Sequence, residues 1–425
     1  MIFCAKKDGT NEIKAMERYK KAHSGITPEQ AAMSAEIVEA VRERGMEAVV
    51  EYSIKTDGVE PRELDVQELE DAVDRLDNGT LRALEHGVKS VTEFQTKLLQ
   101  RSGSWESSVS GGNIWENARG LYSVAIYVAK DSYSAAGTVI SCAGAARAAG
   151  VEEITLIVAP QEPLDDCVLA AAWASGVDRV ILAGGAQAAA ALAFGVGFFP
   201  KADKLIGHMD TSVRAAMGML YGELTIDCLD RAPDLCIIAD RSARPEVVAA
   251  DMLAQAEHSE RSPVLLLTDS EELQGSVAEL LYTQSGALRR KETMEKSLEE
   301  YCSILLCDSL TECVELADRI APAMLFIDTS APMALLEKVQ NAGAVFLGEW
   351  SSPVLGEYAA GSAQLLPAAG QAARLSPLSA ADLVKKTTIV KYSEQALDKQ
   401  NHDIMNLARA EMLTGHANAI KIRLK

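Results

Sequence analysis

Four short stretches of the chain carry residue types that could do chemistry. Gln255-Ala256-Glu257-His258 sets a carboxamide and an imidazole three positions apart, on one face of a helix. The pair could ligate a metal; a histidine closing a helix also suits the negative end of the helix dipole. Gly184-Gly185-Ala186-Gln187 stands between an apolar run and a helix. Backbone N–H groups at such a start favour an anion, and glycine allows close approach. The stretch is not G-x-G-x-x-G, however, and a tight Gly-Gly turn reads the same way. Glu411 and His416 flank Leu413-Thr414-Gly415, where an acid and a histidine serve either a site or the ends of two helices. Glu357 lies in the glycine-bracketed loop Gly356-Glu357-Tyr358-Ala359-Ala360-Gly361, as a functional or a merely solvated carboxylate.

The elements that must position these residues follow from the apolar rhythm. The first hundred residues read as helical: Thr27-Pro28-Glu29 opens a helix running to about Gly45, and patterns at 66–75 and 79–100 give two more. From Leu121, strand-like runs occur at 122–128, 153–158, 178–183, 203–206, 234–239, 263–268, 303–307, 324–328 and 344–347. Helices lie between most of them, the sign of parallel α/β sheets. Nine strands exceed one mononucleotide-binding half. The expected fold is therefore α/β, with two Rossmann-like parallel-sheet domains, a helical N-terminal segment and a helical C-terminal tail. The expected boundaries are 1–22 for an N-terminal segment, 23–126 plus 235–376 for one α/β domain, 127–234 for the second, and 377–425 for the tail. Within the tail, Gly415 is expected to break a helix 397–414 from a basic helix starting at Ala417.

Composition excludes several function classes. The 425 residues hold 41 Lys+Arg against 61 Asp+Glu, and a net charge of −20 repels nucleic acid and anionic membranes. With 48% hydrophobic and 24% charged residues the chain is an ordinary globule and not a disordered one. Val180 to Pro200 is uncharged, yet its Ala and Gly content reads as a buried strand, a Gly-Gly turn and a buried helix rather than a membrane span. Eight cysteines form no C-x-x-C, and the N-terminus lacks the apolar run of a signal peptide, so a reduced, cytoplasmic protein is expected. Six histidines, His23, His86, His208, His258, His402 and His416, form a short list for proton chemistry.

Taken in order, these segments resemble the histidinol dehydrogenase family over nearly the whole chain. The stretches that carry the resemblance are Val41-Arg42-Glu43-Arg44-Gly45 through Glu51-Tyr52-Ser53, and Gly184-Gly185-Ala186-Gln187-Ala188 through Leu192-Ala193-Phe194-Gly195. They continue with Gln255-Ala256-Glu257-His258, Ala342-Gly343-Ala344-Val345-Phe346-Leu347-Gly348 and Leu413-Thr414-Gly415-His416. The resemblance implies a homodimer of Rossmann-like domains that oxidises L-histidinol to L-histidine in two NAD-dependent hydride transfers. It also implies one zinc per site and a C-terminal segment reaching into the partner's site. The family's zinc ligands, Gln, His, Asp and a His from the other subunit, fall on Gln255, His258, Glu357 and His416. Glu in place of Asp is one methylene longer but still an oxygen ligand that zinc accepts. Glu411 matches a substrate-binding acid, Gln364 stands at a substrate position held by a family His, and Pro233 stands at a substrate-contacting Ser.

Tyr127 and Gln187 match family NAD contacts. Gly207-His208-Met209-Asp210 replaces the family's Gly-Pro-Gly-Asn, and Ala129-Lys130-Asp131 replaces its Pro-Gly-Gly. Lost glycines hinder approach to a pyrophosphate, and Asp131 and Asp210 add like charge, which Lys130 partly offsets. Ala323 and Met324 stand where the family carries a Glu-His pair that activates water and removes protons, work worth about 10²–10⁴-fold. The resulting expectation is zinc kept, NAD doubtful and proton transfer lost. It describes a divergent paralogue acting on a small polar amine-bearing substrate rather than on histidinol, with His208 as a candidate proton carrier or a mere surface histidine. The alternatives are an NAD-dependent amino-alcohol dehydrogenase with a relocated base, and a non-catalytic paralogue that binds a ligand or a partner protein.

Overall fold

The computed structural model describes residues 2–23, 25–102, 105–109, 111–130, 132, 134–226, 234–358, 360–361 and 365–424. In chain order the strands are β1 (Phe3–Lys6), β2 (Arg62–Glu63), β3 (Trp105–Val109), β4 (Gly112–Gly120), β5 (Ser123–Val128), β6 (Glu153–Val158), β7 (Arg179–Leu182), β8 (Lys204–His208) and β9 (Thr225–Ile226). They continue with β10 (Leu235–Ala239), β11 (Val264–Thr268), β12 (Ser303–Leu306), β13 (Met324–Asp328), β14 (Ala344–Leu347) and β15 (Val384–Lys391).

Two six-stranded sheets carry the molecule, ordered β2-β7-β6-β5-β8-β9 and β1-β12-β11-β10-β13-β14. Five consecutive strands in each run parallel in the same 3-2-1-4-5 order, so chain order reverses between β5 and β8 in one sheet and between β10 and β13 in the other. Such a reversal leaves a crevice outside the carboxyl ends of the strands, where ligands bind in doubly wound folds. Every residue of β5, β8, β10, β11 and β13 is buried, as expected of parallel strands with helices on both faces.

The N-terminal helices have a definite host. Thr27 and Gln30 close a capping box at the start of helix Pro28–Arg44. Ile37, Val38 and Val41 of that helix pack with Tyr127, Ile157 and Leu205, while Leu69 and Val91 join the core on the other face of the same sheet. Packing thus groups 28–102 with the 123–226 sheet rather than with residues 235–376. Residues Phe3–Lys6 pair with β12 as an edge strand of the second sheet.

Two features depart from the helical reading of the ends. A three-stranded antiparallel sheet, β15-β4-β3, takes in Val384–Lys391 from the tail. Its β-branched Val384, Thr387, Thr388, Ile389 and Val390 suit a half-exposed strand. The tail helices are Glu394–Asp398, Asn401–Ala410 and Thr414–Arg423, and the break falls at Met412, which takes φ 60°, not at Gly415. Gly415 lies in the first turn of the last helix. Among the described residues no helix is long and apolar enough to cross a membrane, and the described cysteines are all free thiols.

The carboxyl end of the second sheet carries an acidic cluster. Asp328, only 6% exposed, is pushed up to about 6 by burial and then by Glu349, Asp240 and Asp251. A carboxyl raised above its unfolded value of about 3.9 favours folding only while protonated, so its contribution is complete below about pH 4 and lost as pH rises through about 6. Asp328→Asn should therefore flatten the fall in stability over that window. At pH 7 it should gain about 1 kcal/mol after allowance for solvent screening, as read by thermal melts across pH.

Candidate active site

Helix Pro245–Ala256 buries most of its length, including Gln255 at 3% exposure, and ends at the cap Glu257. The turn beyond it carries His258, whose N–H donates to the Gln255 carbonyl at 3.3 Å. His258 Nε2 meets Glu357 Oε1 at 3.1 Å, with each side chain about nine-tenths buried. Glu357 comes from the short helix Val354–Tyr358, so the solvated reading of this carboxylate does not hold.

The first sheet supplies the other half of the site. Ser134 precedes helix Ala135–Ala149 in a left-handed conformation (φ 44°), strained for a residue other than glycine. Its hydroxyl donates to Glu357 Oε2 at 2.6 Å, and Tyr358 OH lies 2.8 Å from Ser134 Oγ. One helical turn on, Thr138 Oγ1 lies 3.2 Å from His208 Nδ1. His208 ends β8 and is 5% exposed, which corrects the surface reading of this residue. Burial first, and the charge of His258 second, push His208 down to about 4, against the pull of Glu357, so it is neutral at pH 7. Burial raises Glu357, but the His258 contact and the Ser134 hydroxyl prevail and hold it below the usual carboxylate range.

The donor set fits a zinc ion. Two ligand atoms bonded to one tetrahedral zinc at about 2.0–2.1 Å lie about 3.3 Å apart. The His258–Glu357 separation of 3.1 Å is close to that, and the carboxamide of Gln255 belongs to the same turn. Among the described residues, no three His, Cys, Asp or Glu side chains gather to hold a metal. Among the described residues, His258 and Glu357 are the pair in direct contact here. Glu411 and His416 lie exposed, at the end of helix Asn401–Ala410 and in the first turn of Thr414–Arg423, and no described contact joins them to the pair.

Elsewhere on the first sheet, Tyr127 meets Asp210 and the Gly185 N–H beside Gln187. Tyr127 OH donates to Asp210 Oδ2 at 2.7 Å and accepts the Gly185 N–H at 2.9 Å. Asp210 caps helix Thr211–Leu220 through the Ser212 and Val213 N–H groups. Gln187 donates to Thr56 Oγ1 at 3.0 Å, and Gln187 and Asp210 line a cavity of about 390 Å³ with Asp57, Ser34, Thr211 and Ser212. Gly207 must be glycine here: its φ is 115°, and a Cβ would come within 2.2 Å of the Tyr127 carbonyl oxygen. Asp57, which the sequence did not single out, faces the Gly184-Gly185 turn and is raised by burial and by Asp210. The start of helix Gly185–Phe194 is thus occupied by the protein's own carboxylate. A second cavity, of about 490 Å³, adjoins Asp57 and is lined by Arg62 and Lys130.

The remaining positions are inert or undescribed. Ala323 and Met324, 0% and 3% exposed, pack in a core with Leu235, Phe326 and Leu366. The N–H of Ala323 donates to Asp234 Oδ1 at 2.6 Å. Pro233, Gln364 and Asp131 lie outside the described residues. Tyr127→Phe should leave the Gly185 N–H and Asp210 without their shared partner. The expected loss is about 1–3 kcal/mol, measured by chemical denaturation.

A model of the family described as histidinol dehydrogenase matches residues 21–424. The histidinol dehydrogenase of Caldanaerobacter subterraneus subsp. tengcongensis is 38% identical over 393 residues, 91% of this chain and 91% of that protein. That of Bacillus cereus is 35% identical over 423 residues, 99% of this chain and 97% of the relative. The crystal structure of histidinol dehydrogenase from Elizabethkingia anophelis superposes with a TM-score of 0.92 at 26% identity, covering 100% of this chain and 98% of that one. These relatives correct the expectation of a divergent paralogue with a substrate other than histidinol. Proteins 35–38% identical over nearly the full length are histidinol dehydrogenases, and the match in fold runs from end to end, so the family's ordinary activity becomes the reading to test. With its matched family model, its full-length relatives and its shared fold, the chain belongs to the histidinol dehydrogenase family.

Proposed function

We propose that this protein is an NAD-dependent dehydrogenase that oxidises L-histidinol to L-histidine. The observation that carries the proposal is the buried His258–Glu357 pair, held by Ser134, which follows β5 of the other sheet.

Gln255, His258 and Glu357 would hold a zinc ion, with His416 of the partner subunit completing the set. A homodimer is further supported by the tail, where Leu407, Met412 and Leu413 stand 69%, 86% and 40% exposed around the segment that would cross. A zinc ion held there supplies a Lewis acid that draws charge from a substrate oxygen. Ser134 fixes the Glu357 carboxylate so that Oε1 faces His258. A nicotinamide dinucleotide supplies the two-electron acceptor. Asp57, Asp210, Thr211 and Ser212 present acceptors and hydroxyls suited to ribose, while Lys130 in the adjoining cavity supplies a cation for phosphate. Glu411, carried on the same tail as His416, would bind a cationic group of the substrate. Ala323 and Met324 have no titratable group, so the released proton goes to another residue.

Zinc-loaded full-length protein should form NADH with L-histidinol, and a chelator should abolish the activity. Absence of NADH formation with histidinol in the zinc-loaded protein would contradict the proposal.

A further inference from the structure

We infer that Asp251 is a positioning residue for the metal-binding carboxylate, seating the segment that delivers Glu357 to His258; the inference rests on the histidinol-oxidising reading above and on its zinc site.

Residues 349–357 are fastened three times along helix Pro245–Ala256 and its flanking turns. Arg244 Nη1 meets Glu349 Oε1 at 2.7 Å, Ser352 Oγ donates to Asp251 Oδ1 at 2.6 Å, and His258 Nε2 meets Glu357 Oε1 at 3.1 Å. Arg244, Asp251 and His258 stand seven positions apart, close to two helical turns, so the contacts recur along one side of the helix. Their partners follow in the same chain order, and a slip of the segment along the helix would break all three.

The three contacts differ in what they can hold. The Arg244 and Glu349 side chains are 54% and 31% exposed, and an exposed ion pair fixes little. The His258–Glu357 contact is the one to be positioned. The middle contact is left to set the register. Asp251 is buried, and its bond from Ser352 is at the short end for O–H···O. The same Ser352 oxygen accepts the Val354 N–H at 3.4 Å, and the Ser352 carbonyl accepts the Leu355 N–H at 3.0 Å. The contact therefore anchors the first turn of helix Val354–Tyr358, and Glu357 lies one turn further on. On its own helix Asp251 precedes Gln255 by four positions, on the same face. One side chain thus holds the Gln255-bearing helix and the Glu357-bearing segment together.

Stability alone does not account for a carboxyl group here. Asp251 Oδ2 is buried with no hydrogen-bond partner among the described residues, a cost that an apolar side chain of similar size would avoid. Burial raises the Asp251 carboxyl against the opposing pull of the Ser352 hydroxyl.

Ser352→Ala and Asp251→Ala in the full-length protein should each weaken zinc binding about 10-fold, the lower end of the effect of groups that orient metal ligands. Competition between the folded protein and a chromophoric chelator for added zinc reads the affinity. The double variant should lose no more than either single one, because the two side chains make one contact. Asp251→Asn, which keeps the acceptor, should bind zinc as the wild type does. A residue that serves only the fold would lower the melting temperature of the zinc-free protein and leave the zinc affinity of the folded protein unchanged. Ser352→Ala removes a single hydroxyl and decides the matter if Asp251→Ala does not fold. Wild-type zinc affinity in either variant that folds overturns the positioning role and leaves the histidinol reading intact. A wild-type protein that binds no zinc overturns both, and so separates the two failures.

Discussion

Replacing His258 by Ala should leave a folded protein with neither bound zinc nor measurable histidinol oxidation. His258 Nε2 is the atom that meets Glu357 at 3.1 Å, in a site where both side chains are about 10% exposed. Loss of a group that merely supports a metal ligand costs about 10–100-fold, and loss of a ligand should exceed that. The substitution also strips a buried carboxylate of its imidazole, and a buried charge without its partner costs about 3–5 kcal/mol. Ser134 still donates to Glu357, so the cost should fall toward the lower end of that range. Metal analysis of the purified variant, an NADH assay and a denaturant titration read the three effects separately. Retained zinc at one per chain would remove His258 from the ligand set.

The second large effect lies at a residue that does no chemistry. Asp234 is fully buried ahead of β10 and accepts the N–H groups of Ala323 at 2.6 Å and Ala369 at 2.8 Å. His23 Nε2 lies 2.8 Å from its second oxygen. It therefore ties His23, just beyond helix Asn11–Lys21, to two loop segments, each with an alanine, Ala321 and Ala369, in the left-handed region. Asp234→Ala would remove the acceptor for two buried N–H groups and the partner of a buried imidazole. The expected loss is about 3–5 kcal/mol, enough to halve a typical folding free energy of about 5–15 kcal/mol. Asp234→Asn keeps the shape and one acceptor and should lose less. Urea titrations of the three proteins give the order wild type, Asn variant, Ala variant.

The fold was largely legible because buried parallel strands announce themselves. All nine apolar runs read from the sequence are strands, since β5 and its neighbours must be apolar on both faces. The antiparallel sheet was missed where its strands are half-exposed and short of apolar residues, as in Gly112–Gly120. The break in the tail was misplaced because glycine is the usual left-handed residue, whereas here Met412 takes that conformation. In the site, the Gln255–His258 spacing gave a helical face, but Glu357 became a metal-ligand candidate only through family resemblance. Periodicity could not reveal that Ser134, 223 positions away in sequence, holds its carboxylate. Nor could it show that His208 is buried or that Asp57 fills the Gly184-Gly185 turn, because both depend on how separate elements meet.

The most direct test is a count. Zinc-loaded full-length protein is given a limiting amount of L-histidinol with excess NAD, and NADH and L-histidine are measured at completion. Oxidation of a primary alcohol to a carboxylate removes four electrons, so two NADH per histidine are expected. No NADH, or one NADH per histidinol with no histidine formed, would contradict the assignment of histidinol dehydrogenase activity to this chain.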